Sequence, residues 1–163
     1  MAYADYEFYT TKYYGSAIPA KEFDKQAERA SDFLDVITFD RLVDGLPDNE
    51  RAQTKIKKAV CALADKLYGL ELAEKQALSA AAGSITGGTG GATTGVITSK
   101  SSGSESISYA SPSEMANGAK TWSAVYQAAG NPQEIQRLLY REASPYLMGV
   151  RDNKGEYLLN ARL

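Results

Sequence analysis

Between Gly83 and Pro112 the chain nearly stops carrying charge. Of these 30 residues, 20 are Gly, Ser or Thr, and Lys100 and Glu105 are the only charged ones. A run this poor in apolar groups cannot offset the entropy of ordering it, so the sequence divides into two halves joined by a stem. The glycine-dense part, GSITGGTGGATTG, is expected to be mobile. Beyond it, Glu105, Ile107 and Tyr109 alternate with Ser104, Ser106 and Ser108, the period of a half-buried strand. Val96–Ser99 supplies a partner strand and Lys100–Gly103 the turn, which predicts a β-hairpin on a flexible stem over residues 83–111. A two-stranded hairpin is marginal by itself in water, so it needs the helices or another copy of the chain to lean on.

Both halves read as helix. Pro19 suits a first turn, and Phe23, Ala27, Ala30, Leu34 and Ile37 share one face of a helix running to about Thr38. A short helical turn follows at Asp40–Val43, closed by Gly45 and Pro47. The longest helix is predicted to begin after Asp48, taken as its N-cap, and to reach about Ala82. Ile56, Val60, Leu63, Leu67 and Leu70 form its buried stripe. Gly69 is a place where it can bend or split, and unbroken it spans about 50 Å.

In the second half, Ser111-Pro112-Ser113-Glu114 is a capping box ahead of a stripe of Met115, Ala119, Trp122, Tyr126 and Ala129, ended by Gly130. Asn131-Pro132-Gln133-Glu134 opens a further helix, with Ile135, Leu138, Leu139 and Ala143 turned inward and Pro145 as its end. The core is expected to include Leu34, Ile37, Val60, Leu63, Leu67, Trp122, Leu138 and Leu139. The opening 17 residues hold five of the eleven tyrosines. They read either as a lead-in packing its rings on the helices or as an aromatic contact strip for a neighbouring subunit. The tail from Arg151 has Tyr157, Leu158, Leu159 and Leu163 as its anchors, too few to fold alone. It is expected to be disordered in the free chain, with a frayed end covering the protein's own helices as the other reading.

At 163 residues the sequence suits one domain, and 18 basic against 20 acidic residues favour neither nucleic acid nor membrane. No stretch approaches the roughly 20 apolar residues of a membrane span, and the N-terminus lacks a signal-peptide core. One cysteine, Cys61, cannot form an internal disulfide, and it reads as a small helix residue because no base accompanies it. No histidine is present, which removes the commonest general base and zinc ligand. The glycines fail both phosphate-binding patterns. Val96-Ile97 stands where a phosphate loop needs Lys and Ser/Thr, and Thr93 stands where a dinucleotide fingerprint needs glycine. The pairs Asp32/Asp35 and Asp40/Asp44 read as solvated surface. Arg137 and Arg141 are too few to make a DNA-reading helix. The expectation is therefore a protein that is not an enzyme, with no catalytic residue, metal or cofactor.

The order of parts resembles the head–tail connector (adaptor or head-completion) proteins of tailed bacteriophages. The resemblance covers most of residues 1–150 and is carried in three places. An aromatic lead-in and Ile18-Pro19-Ala20-Lys21-Glu22-Phe23 run into Ala27-Glu28-Arg29-Ala30-Ser31-Asp32-Phe33-Leu34-Asp35. A serine-rich arm, Ile97-Thr98-Ser99 through Gly103-Ser104-Glu105-Ser106-Ile107-Ser108-Tyr109, lies between the helical halves. Arg137-Leu138-Leu139 is followed by Tyr146-Leu147-Met148-Gly149-Val150. Two departures stand: Ser99-Lys100 where Ser-Glu is expected, and a longer glycine-rich stem.

The resemblance implies a mainly α fold, a small bundle of about four to five helices with an extended Ser/Gly-rich β-hairpin arm. It implies a closed homo-oligomeric ring of about twelve copies beneath the portal, packed head-to-tail. Genomic DNA would pass non-specifically through the centre, and a neck, stopper or tail-completion protein would dock below. Val96, Ile97, Lys100, Glu105, Ile107 and Tyr109 on the arm would then meet a neighbouring subunit. Arg151, Lys154, Tyr157, Leu158, Leu159, Arg162 and Leu163 on the tail would grip the portal. The place implied is the virion neck, reached from the host cytoplasm during assembly. A phage assembly chaperone or another helical interaction module is the alternative.

Overall fold

The structure is a computed structural model that describes residues 2–83, 97–101, 106–109 and 123–159. Among these the chain is mainly helical: α1 (Tyr6–Thr11), α2 (Ala20–Ile37), α3 (Glu50–Gly83), α4 (Ala124–Ala128) and α5 (Pro132–Leu147). It divides into two compact units, Met1–Gly69 with Ile135–Leu163, and Leu70–Glu134.

The first unit is built around the opening turns of α3. Asn49 caps that helix, its side-chain oxygen accepting from the backbone N–H groups of Arg51 at 3.0 Å and Ala52 at 3.1 Å. The expected cap, Asp48, lies one residue before it, its own N–H donating to the Asn153 side chain at 2.8 Å. Every residue from Ala59 to Ala64 is buried, so this part of the helix is enclosed on all sides rather than along one stripe. Gly69 does not split it into separate helices, and α3 runs unbroken through that position.

Around this core lie α1, α2 and α5. Asp5 caps α1, accepting from the Phe8 N–H at 2.7 Å. Pro19 precedes α2 in extended conformation as its cap rather than its first residue. The predicted α2 face is buried at Phe23, Ala27, Ala30 and Leu34, while Ile37, on the last turn, is only half-buried. The helix stops without glycine: Phe39 and Asp40 take φ of 57° and 58° and reverse the chain. Leu42 in the following turn returns to the core.

Pro132 begins α5 behind the Asn131 cap, and Leu138, Leu139, Ala143 and Leu147 point inward. Ile135 is half-buried. Pro145, expected to end this helix, lies inside its last turn instead. The proline removes only the bond to the Arg141 carbonyl, which is near water at an exposed position, and the Met148 N–H still reaches Ser144 at 2.9 Å.

The expectation of a disordered tail does not hold for residues 151–159. Arg151 and Tyr157 form a bridge, the Leu158 N–H donates to the Val150 carbonyl at 3.0 Å, and Leu158 is fully buried in the core. Burial of Leu158, the Arg151–Tyr157 bridge and the bonds that the Asp152 side chain accepts from the Lys154 and Glu156 N–H groups together offset the entropy of ordering this stretch.

In the second unit, Leu70 and Ala73 on α3 and Ala128 on α4 are buried. The Tyr126 hydroxyl donates to the Gln76 side chain, and Lys75 pairs with Glu71 one helical turn away at 2.8 Å. Two short strands, β1 (Ile97–Ser101) and β2 (Ser106–Tyr109), pair antiparallel with an irregularity between Ile97 and Ser99. Lys100 and Ser101, expected in the turn, are paired strand residues opposite Ile107 and Ser106. The Ser111–Glu114 capping box, Met115, Ala119 and Trp122 lie outside the described residues.

Two substitutions test this packing. Leu63→Ala, at a fully buried site, is expected to cost about 2–5 kcal/mol in urea denaturation. A methyl group at Gly15 would lie 2.1 Å from the Tyr9 ring, so Gly15→Ala is expected to lower the melting temperature, whereas Gly45→Ala, with open space around it, should act only through its backbone.

Candidate functional site

Among the described residues, no three metal-capable side chains cluster, and no helix is long and apolar enough to cross a membrane. Two shallow clefts open in the first unit. The larger, about 450 Å³, lies between Pro47–Lys55 and Gly149–Asn153, where Arg51, Lys55 and Arg151 face Asp48 and Asp152. The smaller, about 180 Å³, is lined by Phe39, Asp40, Arg41, Asp44 and the turn Asp152–Lys154. Among the described residues, neither cleft is lined by a cysteine, serine or threonine.

The polar groups that are organised are tyrosines on carboxylates. The Tyr9 hydroxyl, fully buried, donates to Asp65 at 2.6 Å and accepts from the N–H groups of Ala17 at 3.1 Å and Ile18 at 3.2 Å. It therefore ties α1, the lead into α2 and the middle of α3 at one oxygen. Burial raises the Asp65 carboxyl above its ordinary range, against the hydrogen bonds of Tyr9 and Tyr13 and the nearby Lys66 charge. Tyr3 repeats the arrangement, its hydroxyl donating to Asp35 at 2.6 Å and its N–H to Ser31 at 3.0 Å. Asp35 is accordingly raised by burial and is not the solvated surface carboxylate expected from its spacing to Asp32. Burial, then the Asp65 and Asp5 charges, push the Cys61 thiol up to about 12, which leaves it unreactive near neutrality.

These pairings answer the question of the opening tyrosines. Tyr6 and Tyr9 pack against Phe23, with Tyr9 and Phe23 centroids 4.8 Å apart, and Tyr13 stacks on Tyr9, so the segment serves the chain's own core. Only Tyr14 among them stands out in solvent. Asp65 could have been suspected from sequence, since it sits one turn beyond Cys61 on an apolar helix. Its partner, 56 residues away, could not.

The expected interface residues divide as follows. On the strand pair Ile97 stands opposite Tyr109 and Lys100 opposite Ile107, while Val96 and Glu105 lie outside the described residues. On the tail, Arg151 stacks over the Tyr157 ring at 3.8 Å and donates to its hydroxyl at 2.5 Å. The Lys154 N–H donates to Asp152 at 2.9 Å, Leu158 is buried and Leu159 half-buried. Arg162 and Leu163 lie outside the described residues. Leu158 thus packs in the chain's own core, while Lys154 and Tyr157 lie exposed.

The chain matches no protein-family model, no curated protein and no solved structure.

The tyrosines give the site a pH signature. Burial and Asp65 raise Tyr9 to about 12, and burial raises Tyr3 and Tyr13 as well. Groups whose folded pKa lies above the unfolded value of 10 contribute stability that is whole below pH 10 and lost as pH climbs through the folded value. Asp35 and Asp65, also raised, hold their protons better folded than unfolded, so mild acid does not unfold the chain through them. A phenolate absorbance titration should show a late-ionising class with unfolding in its range. Tyr9→Phe should remove one late phenol and cost about 1–3 kcal/mol, because the buried Ile18 N–H and the half-buried Asp65 carboxylate both lose their hydrogen bond. A single ionisation step for all tyrosines would refute the pairing.

Proposed function

We propose that this protein is a structural subunit of a tailed-phage head–tail connector, a non-enzymatic ring component seated beneath the portal in the virion neck. The reading rests on the order of parts described above. The observation that supports it best is the two-stranded β1–β2 pair in the interval between α3 and α4, whose sheet has only those two strands among the described residues. Such a pair is marginal in isolation, and both of its edges present backbone groups that a further strand or surface can satisfy. An extended arm of this kind, reaching a neighbouring subunit through Ile97, Lys100, Ile107 and Tyr109, is what a ring needs and what a small-molecule site does not. Mainly helical units suit the same role, since they give each copy rigid faces for packing around a channel.

In this reading DNA passes through the ring without sequence recognition, and the near-balanced charge lets it slide. The portal contact belongs to the exposed side of the tail turn, Lys154 and Tyr157, with Arg162 and Leu163 beyond it, and a neck or tail-completion protein docks on the other side.

Replacing residues 84–111 by a short Gly/Ser linker tests the proposal. The variant should keep its helical circular dichroism yet fail to join necks assembled on portal-bearing capsids. Unimpaired incorporation would reject the arm's role. A wild-type chain that binds portals but is missing from finished particles would instead identify an assembly chaperone.

A further inference from the structure

The first unit carries two sets of exposed apolar side chains in opposite electrostatic surroundings. One is a knob at the end of α2, where Val36, Phe39 and Val43 are 71%, 66% and 63% exposed. Phe39 and Asp40 both lie in the left-handed region, a conformation that non-glycine residues rarely adopt and that persists only where the surroundings enforce it. Here it turns a phenyl ring into solvent, next to the exposed carboxylates Asp32, Asp40 and Asp44. The Arg41 cation lies over the ring at 5.9 Å, and its guanidinium also donates to the Tyr157 carbonyl.

The other set is the outer face of α5. Gln136, Arg137, Tyr140, Arg141 and Met148 are exposed, Tyr140 by 48% and Met148 by 71%. Their spacing of three and four residues puts Arg137, Tyr140 and Arg141 on one side of the helix, and Met148 follows in the turn just beyond its end. No carboxylate is exposed along α5 from Gln136 to Met148, since Glu142 is half-buried and pairs with Lys66 at 3.6 Å.

We propose that these two surfaces meet between copies of the chain: the Phe39 knob of one copy seats on the Arg137–Met148 face of the next. The charges select this occupant, because the carboxylates around the knob face arginines on the seat, and an arginine can cover the Phe39 ring. Phe39, Tyr140 and the arginines are also the residue types that carry interface energy. Knob and seat are different residues, so the contact is heterologous and repeats in one sense from copy to copy, closing when the rotation allows. The inference rests on the ring-subunit reading and names the surfaces that would join its subunits.

Sedimentation and native mass spectrometry of the full chain over a concentration series test it. Phe39→Asn places a residue that tolerates left-handed φ on the knob, so the melting temperature should hold or rise while self-association weakens about tenfold or more. Arg137→Glu with Arg141→Glu should weaken association similarly without changing the helical spectrum. Mixing the two variants should restore one contact and stop at dimers, because each supplies one intact surface. Wild-type oligomers indifferent to both variants would overturn the contact while leaving the ring reading to the neck-incorporation assay. A wild-type chain that stays monomeric throughout, or a mixture that builds long oligomers, would overturn it as well.

Discussion

Asp65 is a carboxylate one residue beyond a helical segment, Ala59–Ala64, from which water is excluded on all sides. A charge in that place is costly unless hydrogen-bonded, and the first unit is arranged around meeting that need. The Tyr9 hydroxyl reaches it from α1, and the same oxygen receives the N–H groups of Ala17 and Ile18. Those bonds fix where α1 ends, how the chain approaches α2, and why Gly15 has no room for a side chain beside the Tyr9 ring. Phe23 then packs on that ring, which sets the rotation of α2 about its axis.

Once α1 and α2 are seated, the remaining side of α3 is covered by Leu139, Ala143 and Leu147 of α5 and by Leu158 from the tail. The tail is therefore part of the core rather than an appendage. Asn153 reaches from its turn to the N–H of Asp48, so the tail also helps to position the start of α3. A role in gripping another protein is left to the side chains that this packing keeps outside, and removing the whole tail would damage the fold before it tested a contact.

The same economy explains the surface. Buried tyrosines are occupied internally, so among the described residues the aromatic groups available to a partner are those left outside, Tyr14 and Phe39 with left-handed torsions, Tyr140 on α5 and Tyr157 in the tail.

Much of the helical architecture was legible in the sequence because it is local. The α2 face, the α3 stripe from Ile56 to Leu70 and the Asn131–Pro132 start of α5 follow from periodicity and capping chemistry, which act within a few residues. The glycine-dense stem read from the sequence lies outside the described residues. Tertiary structure decided what depends on residues distant in sequence. Asn153 reaches the Asp48 N–H from the tail turn, and Asp35 is a half-buried acceptor because Tyr3 lands on it. Tyr9 finds Asp65 across 56 residues, and Leu158 finds the core because the turn at Asp152–Gly155 sends the chain back. Pro145 stays within its helix since only one exposed carbonyl loses a partner. Periodicity states which face of a helix must be covered. Which residues cover it, and which carboxylate a tyrosine must satisfy, is settled only when the packed helices exclude water and leave each buried polar group one place to bond.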